Sequence, residues 1–253
     1  MISFLFGETV YRPIYNFLIF IYNIIPLHDF GVAIIVVTLV LKFLLIPLSK
    51  KQIQSQKKMQ EMQPKIKEIQ EKHKNDKEKQ SRALMEFYKT NKTNPFSGCL
   101  PTIFQLIFLI AIYQVLFNIS KAGLVVDPKE LYSFVPNPGQ INQYFFGIID
   151  LSKTINLSQL NIKVIPQLIL IVLAALAQYV QIKMMTPKTS TQAKGTEPDI
   201  SQIMTKQMMY LGPLLTLFIG IKFPAGLALY WLVSTVFAII QQTKVLKKEK
   251  INS

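Results

Sequence analysis

The sequence holds one cysteine, Cys99, among 253 residues, so no disulfide can form within the chain. Histidine is also scarce, with two residues, and the motifs G-x-x-x-x-G-K and H-E-x-x-H are both absent. No set of nucleophile and base residues at a useful spacing is visible. These absences argue against nucleotide, metal and covalent chemistry. We therefore expect no cofactor and no enzymatic activity.

Acidic residues are missing from every long apolar run. Half of the residues are hydrophobic, and several runs approach the ~20 residues that a helix needs to cross a bilayer. The pattern predicts an all-α, polytopic membrane protein with five transmembrane helices. They cover residues 30–48, 97–119, 164–185, 207–222 and 224–242.

Positive charge is distributed unevenly, and this predicts the topology. The net charge is +14, and 13 Lys or Arg residues lie in segment 49–96. The first thirty residues contain only Arg12, and the connection 120–163 contains four basic residues. The positive-inside rule places segment 49–96 in the cytoplasm. The N-terminus and the connection 120–163 are then extracytoplasmic, whereas the loop 186–206 and the basic tail 243–253 are cytoplasmic.

The first 29 residues predict an amphipathic helix at the membrane interface. Asn16 and Asn23, seven residues apart, lie on one face, and tyrosines are interspersed among the apolar residues. The alternative is a sixth span over residues 9–27. That span would leave very few residues to reverse direction before Phe30 and would invert the favoured topology.

Segment 49–96 predicts a basic hairpin of two antiparallel helices. Its apolar residues keep helical spacing, and the tip is expected near 73–77, where Asn75 followed by Glu78 suggests a helix start. Pro64 should kink or break the first helix. The charges are either a solvated surface or a contact with anionic lipids or ribosomal RNA. Methionines adapt to varied apolar partners, although core packing explains most of them. The hairpin holds Met59, Met62 and Met85.

Lys42 lies inside the first predicted span, although a charge near mid-membrane costs at least ~2.5–3.5 kcal/mol. Since no span contains a carboxylate, Lys42 either extends its amine to the surface or faces a hydrated cavity. Other spans also present polar stripes, which individually are explained by hydrogen bonding between helices. Together with the unpaired lysine they favour a polar groove. The stripes contain Thr38, Gln105, Gln167, Gln178, Gln181, Tyr230, Ser234 and Gln241.

The chain resembles the YidC/Oxa/Alb family of membrane protein insertases over roughly residues 29–247. The matching pieces occur in order: "GVAIIVVTLVLKFLLIPL", "MQPKIKEIQEK", "NPFSGCLPTIFQ", "DLS", "QIKMMTP" and "FPAGLALYWLVST" followed by "QQ". Each piece alone is weak. Their order, with a basic hairpin between the first two spans, makes the resemblance specific.

The resemblance implies five helices around a hydrophilic groove that opens to the cytoplasm. Lys42 corresponds to a basic residue of that groove. Other groove or substrate-contact positions are matched by Thr38, Gln105, Gln181, Tyr230, Trp231 and Ser234, and we add Gln178 from the polar stripe. The resemblance also implies that the hairpin captures substrates. We assign this role to Met59, Met62, Pro64 and Met85.

The function implied is insertion and folding of new membrane proteins in the bacterial plasma membrane. The implied partners are nascent membrane proteins, the ribosome, the Sec translocon and anionic lipids, but not DNA. Two departures stand out. The family position of Lys42 is usually arginine, and the basic tail is brief, so ribosome binding should be weak or transient. No large extracytoplasmic domain is present, as in a short family form.

Two other functions fit the residues. A small-anion channel or transporter would use Lys42 as its selectivity charge, but no second charge lies within a span. A membrane-anchored scaffold would bind ribosomal RNA or lipid through the hairpin alone.

Overall fold

The computed structural model describes residues 2–93, 100–155, 161–186 and 200–251. Cys99 and most of the predicted loop 186–206 lie outside these ranges. The described part of the chain is largely helical. Its helices are α1 (Ile2–Phe6), α2 (Arg12–Ile24), α3 (Phe30–Leu44), α4 (Ile46–Lys72), α5 (Lys77–Thr90), α6 (Leu100–Lys121), α7 (Ile165–Met185), α8 (Ile200–Lys222) and α9 (Ala225–Ile251).

Short elements complete the fold. A π-helical turn, Gly7–Tyr11, joins α1 to α2, and 3-10 turns at Pro26–His28 and Ile162–Val164 precede α3 and α7. Strands β1 (Tyr144–Phe145) and β2 (Ile149–Asp150) pair antiparallel. Residues 122–155, here called the cap layer, otherwise consist mainly of turns.

Helix α2 is attached to the cap layer through its polar residues. Asn16 Oδ1 accepts from the Tyr132 amide at 2.6 Å, and Asn16 Nδ2 donates to the Glu130 carbonyl. The Tyr15 and Tyr22 hydroxyls also accept backbone amides of this layer. The two asparagines predicted to face the interface therefore bind the cap layer, since Asn23 Nδ2 donates to a carbonyl there too. Whether α2 lies at the membrane interface stays a prediction.

A sharp bend lies within the first predicted span. Helix α3 stops at Leu44, and α4 starts at Ile46 after a change of direction of 67°. Pro47 lies in the first turn of α4, where its missing N–H is not needed, so it favours a new helix start. The four residues 45–48, assigned to the span from sequence, belong to the bend and to the next helix.

Pro64 does not break the hairpin's first helix, contrary to one of the two outcomes predicted for it. Helix α4 runs through Pro64 for 27 residues, although this proline offers no N–H to the helix and its side chain is exposed. Helix α5 begins after Asp76 and not Asn75, because the Asp76 carboxylate accepts the Lys79 amide at 3.0 Å. The tip lies at residues 73–76, close to the prediction.

Two later helices are longer than predicted. Helix α8 begins at Ile200, seven residues before the expected span, and α9 continues to Ile251 through the predicted tail. Gly212 and Gly220 let α7 approach α8 closely. A Cβ on either glycine would lie 2.6 Å from an atom of Ile182 or Ile171.

Two helical segments in the described residues, Ile162–Met185 and Ala225–Lys247, are long and apolar enough to cross a membrane. A third span results if α3 and α4 count as one bent pair. Gln105–Lys121 and Met209–Lys222 are shorter apolar segments. The prediction of an all-α membrane protein is confirmed at this level, and five spans stay a prediction.

The cap layer supplies the N-terminal cap of α9. The Ala225 and Gly226 amides donate to the Lys153 and Leu151 carbonyls at 3.1 and 3.0 Å. Asp150 fixes this turn, because its carboxylate accepts the Ser152 amide and hydroxyl and pairs with Lys153 at 3.0 Å. The start of α9 is therefore held by the turn "DLSK". This contact gives a structural reason for the motifs "DLS" and "FPAGLALYWLVST", which meet here.

Acidification should loosen this turn. Burial would raise the pKa of Asp150, but its hydrogen bonds with Ser152 and Lys153 outweigh burial and lower it. A lowered pKa contributes stability above the unfolded value of about 4, and this stability is lost as pH falls through the folded pKa. We expect the amide protons of residues 225–226 to lose protection against exchange below about pH 4, when each rate is compared with that of an unprotected amide at the same pH. In Asp150→Asn the exchange should be faster at neutral pH and lack this step. An acid step that persists in Asp150→Asn would contradict the assignment.

Candidate functional site

The helices enclose a polar cleft on the side of the molecule where α3 bends into α4. The cleft has an empty volume of about 800 Å³, which includes some open solvent at its mouth. Helices α3, α4, α6, α7 and α9 all contribute to its wall. The lining residues include Thr38, Lys42, Ser49, Gln52, Gln56, Gln105, Gln181, Tyr230, Gln241 and Gln242.

Among the described residues that line the cleft, Lys42 is the only charged one. Across the described residues, no carboxylate oxygen lies within 4 Å of its amine, and its side chain is half-buried. Thr38, one turn earlier, is buried and donates its hydroxyl to the Ile34 carbonyl at 2.6 Å. Its oxygen keeps an acceptor lone pair. A positive, hydrogen-bonding wall without a built-in counter-charge suits an acidic or polar guest.

Five of the eight groove residues predicted from sequence meet in this cleft. They are Thr38, Lys42, Gln105, Gln181 and Tyr230. The other three are not in its lining. Trp231 donates Nε1–H to Gln178 Oε1 at 3.0 Å, so this pair joins α9 to α7, and Ser234 is fully buried.

Residues of α4 form a wall of the cleft that the sequence reasoning missed. Ser49, Gln52 and Gln56 line it, although they were assigned to the cytoplasmic hairpin. Their spacing of three and four residues is that of one helical face, so this stripe was a readable signal. Its direction was not readable, because it depends on the bend at Leu45.

A hydrogen-bonded latch holds α4 against α9 at the bend. Gln241 Nε2 donates to Ser49 Oγ at 2.9 Å and to the Ile46 carbonyl at 3.3 Å. Ser49 in turn donates to the Leu45 carbonyl at 2.6 Å. Gln241 therefore joins α9 to the first turn of α4.

Gln241→Leu should release the start of α4. The change removes the two hydrogen bonds that join α9 to the first turn of α4, at a cost of about 1–2 kcal/mol, which corresponds to roughly 5–30-fold faster amide exchange near residues 46–56. Hydrogen exchange by mass spectrometry measures this. Thr243→Leu is the control, because Thr243 is exposed and bonds only within its own helix. Equal exchange in both variants would show that the latch has no structural effect.

The hairpin residues predicted to capture substrate differ in exposure. Met62 is 8% exposed and packs inside the hairpin, and Met59 is half-buried, whereas Met85 is 60% exposed and Pro64 is exposed. Only the last two present their surface to a partner in this conformation. The hairpin also reaches the end of α7, where Gln60 donates to the Met185 carbonyl.

No group of three or more His, Cys, Asp or Glu residues is placed to hold a metal ion within the described residues. The cleft offers amides, hydroxyls and one amine. Such groups bind a guest by hydrogen bonds and charge.

Comparison with known proteins gives the family. The protein-family model described as "60Kd inner membrane protein" matches residues 20–252 of this chain. Proteins named membrane protein insertase YidC are similar throughout. The one from Fusobacterium nucleatum is 31% identical over 242 residues, with 94% of this chain and 98% of the relative covered. Those from Geotalea uraniireducens and Streptomyces avermitilis are both 33% identical, over 97% and 86% of this chain.

Coverage of the relatives differs. The chain spans nearly all of the Fusobacterium protein but 39% of the Geotalea protein and 51% of the Streptomyces protein. In each case the matched region takes in most of this chain, and the family match over residues 20–252 includes the residues of the cleft. The resemblance inferred from the motifs is therefore confirmed, and the chain belongs to the 60Kd inner membrane protein family of membrane protein insertases.

Proposed function

We propose that the chain inserts newly made membrane proteins into the bacterial plasma membrane by sheltering their polar segments in the cleft. The observation that carries this proposal is the lysine without a carboxylate partner inside a polar cleft among apolar helices. A polar segment crossing a bilayer alone loses its hydration. Glutamine amides and an amine along the path replace part of that hydration and so lower the barrier.

The apolar part of the substrate would move in lipid beside α7 and α9. Both helices contribute to the cleft, and both also carry exposed apolar side chains, such as Leu176 and Val180 on α7 and Val236 and Ile240 on α9. A substrate helix at this edge would keep its apolar side in lipid while its polar end stays in the cleft.

Five spans and an extracytoplasmic N-terminus are part of the proposal. Helices α6 and α8 would be the second and fourth spans, supported by their apolar described segments. The basic hairpin and α9's end would then be cytoplasmic, as the positive-inside rule requires. The hairpin would receive substrates through Met85 and meet anionic lipids, the ribosome or the Sec translocon.

The test is insertion into vesicles that contain the purified chain. A small single-span protein with a short acidic N-terminal tail is added, and protease protection of the tail reports insertion. We expect protection above that of empty vesicles. Protection at the level of empty vesicles would contradict the proposal, and anion flux without insertion would favour a channel, for which the charged cleft is the supporting observation.

A further inference from the structure

A long uncharged stretch lies in the cap layer. Residues 131–149, "LYSFVPNPGQINQYFFGII", contain no Asp, Glu, Lys or Arg. A stretch of this length in an average soluble domain would hold about five charged residues. Large apolar side chains in it are nonetheless exposed, among them Phe134, Phe146 and Ile148. Exposed apolar groups without flanking charge are typical of surfaces that water does not cover.

Two exposed apolar residues, Leu27 near this stretch and Phe146 within it, adopt left-handed backbone conformations. Leu27 has φ 67° with its side chain 90% exposed, and Phe146 has φ 49° with its side chain 69% exposed. Left-handed conformations are strained for residues with a bulky side chain. At the hairpin tip Phe146 is followed by Gly147 at φ 70°, a pattern in which Asn-Gly is the favoured pair. The fold thus keeps Leu27 and Phe146, here called the tips, exposed in spite of their backbone strain.

Asp29 joins the Phe146 tip to the start of α3, two residues after Leu27. Its Oδ1 accepts the Val32 amide at 2.9 Å and so caps α3, and its Oδ2 accepts the Phe146 amide at 2.6 Å. The side chain is largely buried. The tips therefore have a fixed place at the N-terminal end of α3.

The strands beside the Phe146 tip pack against two apolar helices. Strand β1 contacts α3, and β2 contacts α7. Ile162 and Ile165, at the start of the candidate span Ile162–Met185, are 80% and 48% exposed. Exposed apolar side chains thus occur both in the cap layer and at the start of a candidate span that the layer contacts, and this points to lipid as the occupant of the surface.

We infer that Leu27, Phe146 and Ile148 form a lipid anchor that inserts into the interface of the leaflet opposite the basic hairpin. Because Asp29 connects the anchor to α3, the anchor fixes the depth of α3 and hence of Lys42 in the bilayer. The inference rests on the membrane location of the chain and not on its insertase activity.

Depth measurements on the full chain test the anchor. Single cysteines replace Phe146, Ile148 or, as the control, the exposed charged residue Lys129 of the same layer, in a Cys99→Ser background. Each carries a nitroxide label in vesicles of phosphatidylcholine and phosphatidylglycerol, and its accessibility to oxygen and to a nickel chelate gives its depth. We expect the first two labels about 5–10 Å below the headgroup boundary. The label at 129 should lie in water.

The inference is overturned if the nickel chelate reaches the labels at 146 and 148 as readily as the label at 129. The vesicles contain no partner other than lipid, so such labels would be in water. All three labels inside the bilayer would overturn it too, because the whole layer would then be submerged. Phe146→Asn removes one tip and suits the turn. In that variant the label at 148 should move toward the headgroups, and an unchanged depth would refute the part assigned to Phe146.

Discussion

Lys42→Ala is expected to slow insertion of a protein with an acidic tail by roughly 5–30-fold, the equivalent of about 1–2 kcal/mol. The amine is the only charge in the cleft lining and has no carboxylate partner within the described residues. An acidic tail supplies that partner while it passes. The cleft is open to water, so the attraction is well below the value for a dry interior. Lys42→Arg should keep the rate, because the charge is retained.

Lys42→Glu should have a larger effect than alanine, since a carboxylate would repel the acidic tail. Exchanging the tail's acidic residues for lysines should restore part of the rate in this variant and lower it in the native chain. Salt should reduce both differences, because it screens charges in an open cleft. The measurement is protease protection in vesicles, with initial rates compared at equal protein content.

Lys51→Glu is the matched control, since it makes the same charge change at an exposed residue of α4 that does not line the cleft. It should leave the rate close to native. If Lys42→Ala and the native chain insert the acidic tail equally fast, the lysine serves only to reach the membrane surface. The charge argument would then be refuted, although insertion itself would stand.

The convergence of Thr38, Lys42, Gln105, Gln181 and Tyr230 was predictable from sequence because it needs little more than helical periodicity. A polar residue within an apolar helix turns inward, and several such helices in one bundle bring these residues together. Gln178 obeys the same periodicity, yet it accepts a hydrogen bond from Trp231, a residue predicted from the resemblance, beside the cleft. Periodicity gives a face and leaves the partner on that face undetermined.

The α4 wall of the cleft could not be predicted because it depends on a single backbone geometry. Leu45 has φ −88° and ψ 1°, which redirects the chain by 67°. The sequence signal there, Pro47, indicates a helix start and carries no direction. Without the direction, Gln52 and Gln56 read as part of a solvated surface.

The contacts of the cap layer could not be predicted from the sequence either. Its contacts join residues more than a hundred positions apart, as between Asn16 and Tyr132 or between Asp29 and Phe146. Side chains there bind backbone amides, which every residue except proline carries. Such contacts leave no pattern in a single sequence.

Gly31→Val should destabilise the protein by about 2–3 kcal/mol, because α3 meets the cap layer there without room for a side chain. A Cβ on Gly31 would lie 2.3 Å from Phe145 Cδ2 and 2.7 Å from Phe145 Cβ. The second contact lies next to the backbone of β1, so rotating the ring cannot relieve it. Either β1 or α3 must move, and the Asp29 bond to Phe146 opposes both movements.

Thermal unfolding in detergent, followed by the fluorescence of the single tryptophan Trp231, measures this effect. The midpoint should fall by roughly 4–10 °C. Gly7→Val is the control, because no atom lies within 4 Å of a Cβ placed there. Phe145→Gly removes every atom in the overlap, so the double variant with Gly31→Val should lose less stability than the two single changes added together. Additive losses would show that the two residues do not press on each other, and the close approach of β1 to α3 would have to be abandoned.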